Sequence, residues 1–294
     1  MPPQIFILLS PTASGKTQLA IDLANDFDLE IINADAYQVF KAMDIGTAKP
    51  SLAQRHLAPH HMFDIATPDQ TYSAHEFARD AHACVKDILS RGKRPLLVGG
   101  SGFYMRAFLT PTSDLPKGTA DIKNHDQAYQ QIVSQDPDLA LHIHANDHYR
   151  IERASFLLSR NILPSQAWQA EKDQQIDHPH TVFSIQVDRA LLYERINQRV
   201  LEMFDHGLVK ETQAILKTYP TAHARLSKTI GYAQVIAYLG HQITHDDLVS
   251  LVQQKTRNYA KRQLTWIRNQ LDPVVIDFKH ALKDISCYIA EQSL

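Results

Sequence analysis

The residues best placed to do chemistry lie within the first forty positions of this 294-residue chain. A short apolar run at residues 4–9 leads into Ser10-Pro11-Thr12-Ala13-Ser14-Gly15-Lys16-Thr17, and an amphipathic helical pattern follows at once. A loop between a strand and a helix directs backbone N–H groups and the positive helix end at a phosphate. Lys16 adds a positive charge, and the Thr17 hydroxyl offers one ligand to Mg²⁺. The segment therefore predicts a phosphate-binding loop.

One position departs from the usual pattern of this loop, Gly-x4-Gly-Lys-[Ser/Thr], because Ser10 replaces the first glycine. That position turns the chain out of the strand, so we expect some loop strain from Ser10 but no lost phosphate ligand. A chance Gly-Lys-Thr at a helix start is the alternative. The order of strand, loop and helix argues against it.

A carboxylate follows the second predicted strand, residues 30–33, at Asp35. In an open parallel sheet this end of the strand lies beside the phosphate loop. Asp35 is therefore a candidate catalytic base, a metal support or a local Asx cap. An ordinary ATPase would also carry a Mg²⁺-binding acid after a further strand. The strand at residues 95–98 ends instead in Gly99 and Gly100, which argues against ATP hydrolysis.

The elements that must position these residues alternate between strands and helices. A helix is predicted over residues 73–91, with Ser73 and Glu76 as a capping box and Gly92 at its end. A strand returns at residues 182–187 with an alternating pattern, and the rest of the chain is predicted to be helical. This order predicts an α/β fold with a parallel sheet flanked by helices.

The domain organisation follows from a change in composition after residue 110. Residues 111–181 have few apolar runs and many Gln, Asp and His, which indicates an inserted, mainly helical subdomain. Residues 1–110 and 182–294 are then expected to form the phosphate-loop core, with helices in its C-terminal part. The irregular stretch before residue 73 includes His60 and His61, which we expect to position loop backbone rather than to act in catalysis.

Composition narrows the class of protein further. Hydrophobic residues make up 44% of the chain and charged residues 21%, so a disordered polyelectrolyte is excluded. The net charge of −2 demands neither a nucleic acid nor a membrane, although a local basic face remains possible. Two distant cysteines exclude a disulfide framework. Because the cysteine usage fits a reducing compartment and no apolar run is long enough to span a membrane, we expect a soluble, cytoplasmic protein. We also expect a monomer.

Several longer motifs resemble tRNA dimethylallyltransferases, from the first strand to a C-terminal helix. Besides the phosphate loop and Asp35 with Gln38, they are Ile45-Gly46-Thr47-Ala48-Lys49-Pro50, His60-His61, Tyr72-Ser73-Ala74, Leu97-Val98-Gly99-Gly100-Ser101-Gly102-Phe103-Tyr104, Ile230-Gly231-Tyr232 and Thr256-Arg257-Asn258-Tyr259-Ala260-Lys261-Arg262-Gln263-Leu264-Thr265-Trp266. The runs at 45–50 and 256–266 are the most specific, and residues 111–181 match least.

The resemblance implies transfer of a dimethylallyl group from dimethylallyl diphosphate to the N6 amine of the adenine that follows a tRNA anticodon. Diphosphate leaves, and no water need be activated, which is compatible with the missing acid after residue 98. The implied cofactor is Mg²⁺, and the implied partner is the tRNA anticodon stem-loop, whose stem the insertion would clamp. A stacked adenine would have to be flipped out of its loop to react.

The resemblance also implies roles for individual residues. The implied catalytic residues are Asp35, Lys16 and Ser101. Diphosphate binding is implied for Ser10, Pro11, Thr12, Ala13, Ser14, Gly15, Lys16 and Thr17, with Thr17 also the metal ligand. The implied tRNA contacts are Asp35, Ala36, Tyr37, Gln38, Ser101, Arg153, Arg257, Lys261 and Arg262. Arg225 is a further candidate for a diphosphate contact.

The chain also departs from the family pattern. Ala36 replaces a usual serine, Ala233 and Gln234 follow Gly231-Tyr232 in place of Lys-Glu, and Ser155-Phe156 replaces Leu-Glu. These changes affect tRNA contacts or helix packing rather than the diphosphate site. His142, His144 and His148 lack a convincing zinc-ligand pattern and are expected to be surface residues.

The basic residues between Lys255 and Arg268 suit a phosphate backbone and unstacked bases, although a solvated helix face is the alternative. Three other functions remain open at this point. They are an adenylate isopentenyltransferase, a small-molecule kinase and a non-enzymatic RNA-binding module. The insertion and the basic helix favour tRNA over a free nucleotide.

Overall fold

The computed structural model describes residues 4–110, 115–116, 118–173 and 179–292. The chain divides into two compact units. One comprises Met1–Phe108 with His178–Leu294, and the other comprises Leu109–Asp177.

The elements follow one another in an alternating order over the first third of the chain. The strands are β1 (Ile5–Leu9), β2 (Leu29–Ala34), β3 (His60–His61), β4 (Arg94–Gly99), β5 (His180–Gln186) and β6 (Val274–Asp277). The helices are α1 (Lys16–Phe27), α2 (Leu52–His56), α3 (Ala74–Ser90), α4 (Gly102–Leu109), α5 (His125–Gln135), α6 (Pro137–Ala140), α7 (His148–Leu158), α8 (Pro164–Asp173), α9 (Arg189–Asp205), α10 (Leu208–Thr218), α11 (His223–Leu226), α12 (Tyr232–Leu239), α13 (His245–Gln270) and α14 (Ala281–Glu291).

The six strands form one parallel sheet in the order β3-β2-β4-β1-β5-β6. The central strand β1 pairs with β4 on one side and with β5 on the other, so that Ile7 lies opposite both Leu97 and Val182. The chain leaves β1 toward one side of the sheet and later returns on its other side. Ligands of open α/β sheets bind at such a switch point, beyond the carboxyl ends of the strands. The predicted α/β fold with a parallel sheet is confirmed.

The core of the larger unit forms where helices cover the sheet. Phe6 and Leu8 of β1 pack with Leu23 of α1 and Ile285 of α14, all of them buried. Burying such side chains stabilises the fold by about 1.5–3 kcal/mol each, and this holds α1 and its preceding loop against the sheet.

Local signals in the sequence agree with the structure where they are strongest. The Ser73 side chain accepts the Glu76 N–H, and the Glu76 carboxylate accepts the Ser73 N–H, so the predicted capping box begins α3. Gly92 follows the end of α3 with φ of 71°, a conformation that glycine adopts without strain.

Two predictions about β-structure were wrong. The strand expected at 182–187 is present as β5, in which residues 181–185 are all buried, with Phe183 and Ile185 packed in the core beside Ile285 of α14. However, the strand begins at His180, within the segment assigned to the insertion. In addition, the C-terminal part is not wholly helical, because residues Val274–Asp277 add the edge strand β6.

The smaller unit contains α5 to α8 in its described part and has its own core. Ile132, Leu139, Ile143 and Ile151 are buried against one another. The helices α5, α6 and α7 begin with side-chain caps from Asn124, Asp136 and Asp147. Within the described ranges of both units, no helix combines the length and apolar character needed to cross a membrane.

Candidate active site

The phosphate loop joins the carboxyl end of β1 to the first residue of α1, as the sequence predicts. Gly15 immediately precedes α1 with φ of 91°, and a Cβ there would lie 3.0 Å from the Phe278 ring. Ala13 also has a positive φ, 62°, and packs in a buried cluster with Leu192 of α9 and Ala260 of α13. The loop is therefore held from behind by α9, α13 and the C-terminal segment.

Two serines of this loop have different environments. The Ser10 hydroxyl accepts the backbone N–H of Ile185 at 2.6 Å, so this departure from glycine joins β1 to β5. The Ser14 hydroxyl is fully buried and has no hydrogen-bond partner among the described residues. A buried hydroxyl without a partner costs about 1–3 kcal/mol, so its position in a phosphate loop fits an anion that would accept its hydrogen bond.

Lys16 is partly buried at the start of α1, where its Nζ donates to the Pro11 carbonyl at 2.8 Å. Burial is the main cause that lowers the pKa of Lys16 to about 7, and the Arg199 charge lowers it further while Asp35 acts in the opposite direction. A bound diphosphate would supply the negative charge that restores the protonated form.

Asp35 lies in the turn that follows β2. Its Oδ1 accepts the Tyr37 N–H at 3.0 Å, and its own N–H donates to Asn33 Oδ1 at 3.1 Å. An Asx turn is thus present, yet the carboxylate also faces the ligand-sized space around the loop. Burial raises the pKa of Asp35, while the Tyr37 N–H and the Lys16 charge oppose that shift.

Two adjoining clefts share Thr12, Asp35, Thr47 and Ala48. The first, here named the phosphate cleft, is further lined by Lys16, Thr17, Asn33, Gln38, Arg199 and Gln263. The second, named the aromatic cleft, is further lined by Tyr37, Met203, Ile230, Val252, Tyr259 and Arg262. Asp35 is therefore common to a cationic cleft and to an apolar, aromatic one.

Sequence reasoning missed two residues that contact the phosphate loop. Arg199 of α9 is largely buried, and its Nη1 lies 3.4 Å from the Thr12 hydroxyl, with burial lowering its pKa. Gln263 of α13 accepts the Thr12 N–H and donates to the Gly100 carbonyl. Gln263 lies in the motif at 256–266 but had no assigned role, and no pattern marks Arg199, because the partners of these two residues lie 251 and 187 positions away.

The two glycines at the end of β4, Gly99 and Gly100, lie where an ordinary ATPase carries a Mg²⁺-binding acid. A Cβ on Gly99 would overlap with the Ala34 backbone, and a Cβ on Gly100 would overlap with the Gln263 amide. A side chain at residue 99 would require the Ala34 backbone to move, whereas a side chain at residue 100 would displace the Gln263 amide.

The remaining residues predicted to contact tRNA near Asp35 have distinct environments. The Gln38 amide donates to the Thr47 carbonyl at 3.1 Å and to the Ala48 carbonyl at 3.3 Å, which fixes the loop shared by both clefts. Tyr37 lines the aromatic cleft. Ala36 and Ser101 lie outside the two described clefts, Ala36 in the turn and Ser101 buried just before α4.

The three basic residues predicted to bind tRNA on α13 differ in exposure. Lys261 and Arg262 are exposed, and Arg262 also reaches the aromatic cleft. Arg257 instead donates to Asn197 Oδ1 at 2.6 Å and lies 6.0 Å from the Tyr193 ring, both on α9. Its guanidinium thus joins two helices.

Arg153 and Arg225 each donate hydrogen bonds to backbone carbonyls within their own unit. Arg153 Nη1 donates to the Pro116 and Gly118 carbonyls at 2.6 and 2.8 Å. Arg225 donates to the Pro68 and Gln70 carbonyls and lies over the Phe40 ring at 3.9 Å. Both guanidinium groups therefore hold loop backbone.

The two pairs of histidines hold local structure. His60 and His61 form β3, where His61 Nε2 lies 2.7 Å from Glu30 Oε2. His148 stacks on His125 with ring centroids 4.0 Å apart. No group of three or more His, Cys, Asp or Glu in the described chain could hold a metal ion.

The fold and the site define an α/β enzyme class with a phosphate loop and with a carboxylate that lines two clefts. The family profile for IPP transferase matches residues 38–270. A curated relative from Koribacter versatilis, named tRNA dimethylallyltransferase, is 40% identical and covers 91% of each chain. Another from Geotalea uraniireducens, named tRNA dimethylallyltransferase 2, is 36% identical and covers 98% of this chain and 96% of its own.

Solved structures agree with these sequence relatives. A tRNA isopentenylpyrophosphate transferase from Staphylococcus epidermidis superposes with a TM-score of 0.74 at 32% identity, covering 98% of this chain and 99% of its own. A eukaryotic dimethylallyltransferase acting on tRNA superposes with a TM-score of 0.83 at 26% identity. The match covers 94% of this chain and 74% of the eukaryotic chain. The chain belongs to the IPP transferase family, and the predicted family, its transferase class and its dimethylallyl transfer reaction are confirmed.

Proposed function

We propose that Asp35 is the general base with which this chain transfers a dimethylallyl group to the N6 amine of an anticodon-loop adenine. The observation that carries the proposal is the position of Asp35, which lines both the phosphate cleft and the aromatic cleft. A donor held by its diphosphate and an acceptor base held among aromatic rings would meet at this carboxylate.

The chemistry assigned to each cleft follows from its side chains. The phosphate cleft contributes Lys16, Arg199 and the unpartnered Ser14 hydroxyl nearby, which suit two linked phosphates. The aromatic cleft contributes Tyr37 and Tyr259 as flat apolar surfaces, with Arg262 at hand for a nucleotide phosphate. An adenine flipped from its stack fits this second cleft.

The reaction then needs one proton acceptor. The N6 lone pair forms the new bond to C1 of the dimethylallyl group, while the C1–O bond breaks and its electrons leave with diphosphate. The proton lost from N6 passes to the Asp35 carboxylate, whose raised pKa makes it a stronger base than an exposed aspartate. Lys16 and Arg199 face the charge that develops on diphosphate.

The site also fits a divalent cation, which we propose to be Mg²⁺. Thr17 lines the phosphate cleft, and the described residues offer no cluster of protein ligands. Mg²⁺ is commonly held by few protein oxygens together with substrate phosphates and water. When bound, it would neutralise charge on the diphosphate, and Thr17 would hold it.

We include the other predicted contacts with tRNA in this proposal. The exposed Lys261 and Arg262 of α13 would meet the tRNA backbone, with Ala36, Tyr37, Gln38 and Ser101 near the target base. Arg153 and the smaller unit would contact the anticodon stem. A cytoplasmic location and a monomeric state stay predictions.

The test is Asp35→Asn, which keeps the size of the side chain but cannot take a proton. Single-turnover transfer to an anticodon stem-loop should fall about 10²–10⁴-fold, with unchanged affinity for dimethylallyl diphosphate. Asp26→Asn, at an exposed carboxylate on α1, is the control and should react normally.

The metal dependence of Asp35→Asn separates base from metal support. A low rate at every Mg²⁺ concentration supports the general base, whereas recovery of the rate at high Mg²⁺ would show that Asp35 supports the cation. A stem-loop without the target adenine should give no product with the unmodified enzyme.

A further inference from the structure

The amide of Gln263 joins three separate parts of the larger unit. It projects from α13, accepts the Thr12 N–H of the phosphate loop at 3.0 Å and donates to the Gly100 carbonyl beyond β4 at 2.8 Å. The side chain is buried, with 6% of its surface exposed. Buried polar groups rigidify their surroundings when their hydrogen bonds are made, so this amide fixes the spacing between helix, loop and strand.

The absence of a side chain at Gly100 leaves room for this amide. A Cβ on Gly100 would overlap with Gln263 Nε2 and would lie 3.1 Å from the Ser10 carbonyl. Gly100 thus permits the close approach of α13 that the two hydrogen bonds require. The two hydrogen bonds join α13 to Thr12 within the phosphate loop and to Gly100 just beyond β4.

The same helix presents the basic surface opposite this amide. Lys261 and Arg262 immediately precede Gln263 and are exposed, whereas Gln263, Ala260 and Ile267 are buried. A helix held by a buried amide cannot shift or rotate without moving Thr12. A displacement of α13 on binding RNA would therefore reach Thr12 through this amide, alongside the packing of Ala260 against Ala13.

We propose that Gln263 is a positioning residue that couples tRNA binding on α13 to diphosphate binding in the phosphate loop. The inference rests on the proposed function only in placing tRNA on the exposed face of α13. It adds that each substrate increases the affinity of the protein for the other, and that the Gln263 amide transmits this change. By linkage, each ligand must then tighten the other by the same factor.

The experiment measures the affinity for pyrophosphate, with Mg²⁺ present, in the free enzyme and in the enzyme saturated with an anticodon stem-loop. Coupling between sites typically amounts to about 5–150-fold in affinity, so the unmodified enzyme should bind pyrophosphate at least fivefold more tightly with the stem-loop. The reciprocal titration of stem-loop with and without pyrophosphate should give the same factor.

The variant Gln263→Met keeps the length of the side chain but removes both hydrogen bonds. Its coupling factor should fall to within about twofold of unity, while stem-loop affinity without pyrophosphate stays near normal. Gln253→Met is the matched control, because Gln253 lies on the same helix and donates to the Asn197 carbonyl of α9 at 3.2 Å. This control should lose similar stability but keep the coupling.

Two further variants keep the inference testable if Gln263→Met folds poorly. Gln263→Glu retains an acceptor for Thr12 and replaces the donor to Gly100, and Gly100→Ala displaces the amide without altering it. Both should reduce the coupling factor. An unmodified enzyme without coupling, or a Gln263→Met enzyme with the full factor, would overturn the proposal.

A parallel transfer assay separates this inference from the proposed function. Pyrophosphate carries no dimethylallyl group, so the coupling is measured without any chemical step. If the unmodified enzyme couples the two ligands but forms no product, the proposed reaction fails while the role of Gln263 stands.

Discussion

The Glu211 carboxylate accepts the Tyr232 hydroxyl at 2.7 Å and also accepts the backbone N–H groups of Asp44, Ile45 and Gly46. Two helices, α10 and α12, thereby hold the loop that supplies Gly46, Thr47 and Ala48 to the aromatic cleft. A Cβ on Gly46 would lie 2.5 Å from the Tyr232 ring, so glycine is required for this approach.

Replacing Glu211 by Gln should destabilise this loop, because an amide N–H₂ would face backbone N–H groups. We expect a loss of about 1–3 kcal/mol in the free energy of unfolding, measured by urea titration, together with slower transfer. Tyr232→Phe removes only the hydroxyl and should cost about 0.5–1.5 kcal/mol. Wild-type stability of Glu211→Gln would show that the loop is held by other contacts.

Lys16→Ala should slow transfer by about 10²–10³-fold, which corresponds to about 2.7–4 kcal/mol in the barrier, because it removes a charge that faces the leaving diphosphate. The Nζ of Lys16 contacts only the Pro11 carbonyl among the described hydrogen bonds, so the melting temperature should change little. Near-normal transfer by this variant, measured in single turnovers, would remove Lys16 from the site.

The affinity for pyrophosphate should depend on pH through Lys16. Its pKa in the free enzyme is about 7, and a bound anion favours the protonated ammonium, so binding raises that pKa. The affinity is therefore highest below about pH 7 and falls as the pH rises above it. Calorimetry above pH 7 should detect proton uptake on binding, and Lys16→Met should lose the part due to Lys16 while keeping that due to pyrophosphate itself.

The rate of transfer should depend on pH in the opposite sense through Asp35. Burial raises the pKa of this carboxyl, and only the ionised form can accept the N6 proton. The single-turnover rate should therefore fall as the pH decreases through that raised pKa. The residual rate of Asp35→Asn should lack this acid limb, and a limb unchanged in the variant would assign it to another group.

Lys261 and Arg257 should respond differently to substitution although both lie on α13. Lys261→Ala should reduce the slope of log K against log salt for stem-loop binding by about 0.7–0.9, the value of one phosphate contact. Arg257→Ala should leave the slope nearly unchanged but lower stability, because it loses the hydrogen bond to Asn197. Equal slopes for Lys261→Ala and the unmodified enzyme would mean that Lys261 is merely solvated.

The sequence predicted those parts of the fold and site that local patterns encode. Ser73 and Glu76 form their capping box within four residues, and the loop before Lys16 is recognisable from its order between strand and helix. The sequence also indicates that Asp35 lies at the sheet edge. The structure adds its Asx turn with Tyr37 and its position between two clefts.

The features that escaped prediction depend on contacts between distant segments. The edge strand β6 (Val274–Asp277) was not predicted, and it forms by pairing with the distant strand β5. Arg199 and Arg257 carry the same charge on adjacent helices, yet one faces the phosphate cleft and the other joins α9 to α13. Only the packing of those helices distinguishes the two arginines.

The glycines at the end of β4 also limit how this protein could be redesigned or could change its reaction. Adding an acid at residue 99 would push into the Ala34 backbone, and adding one at residue 100 would displace Gln263 from Thr12. A single acidic substitution there would therefore disturb the Ala34 backbone or the phosphate loop as well as adding the carboxylate that ordinary ATPases use. Gly99 thus ties the end of β4 closely to β2, and Gly100 ties it to α13.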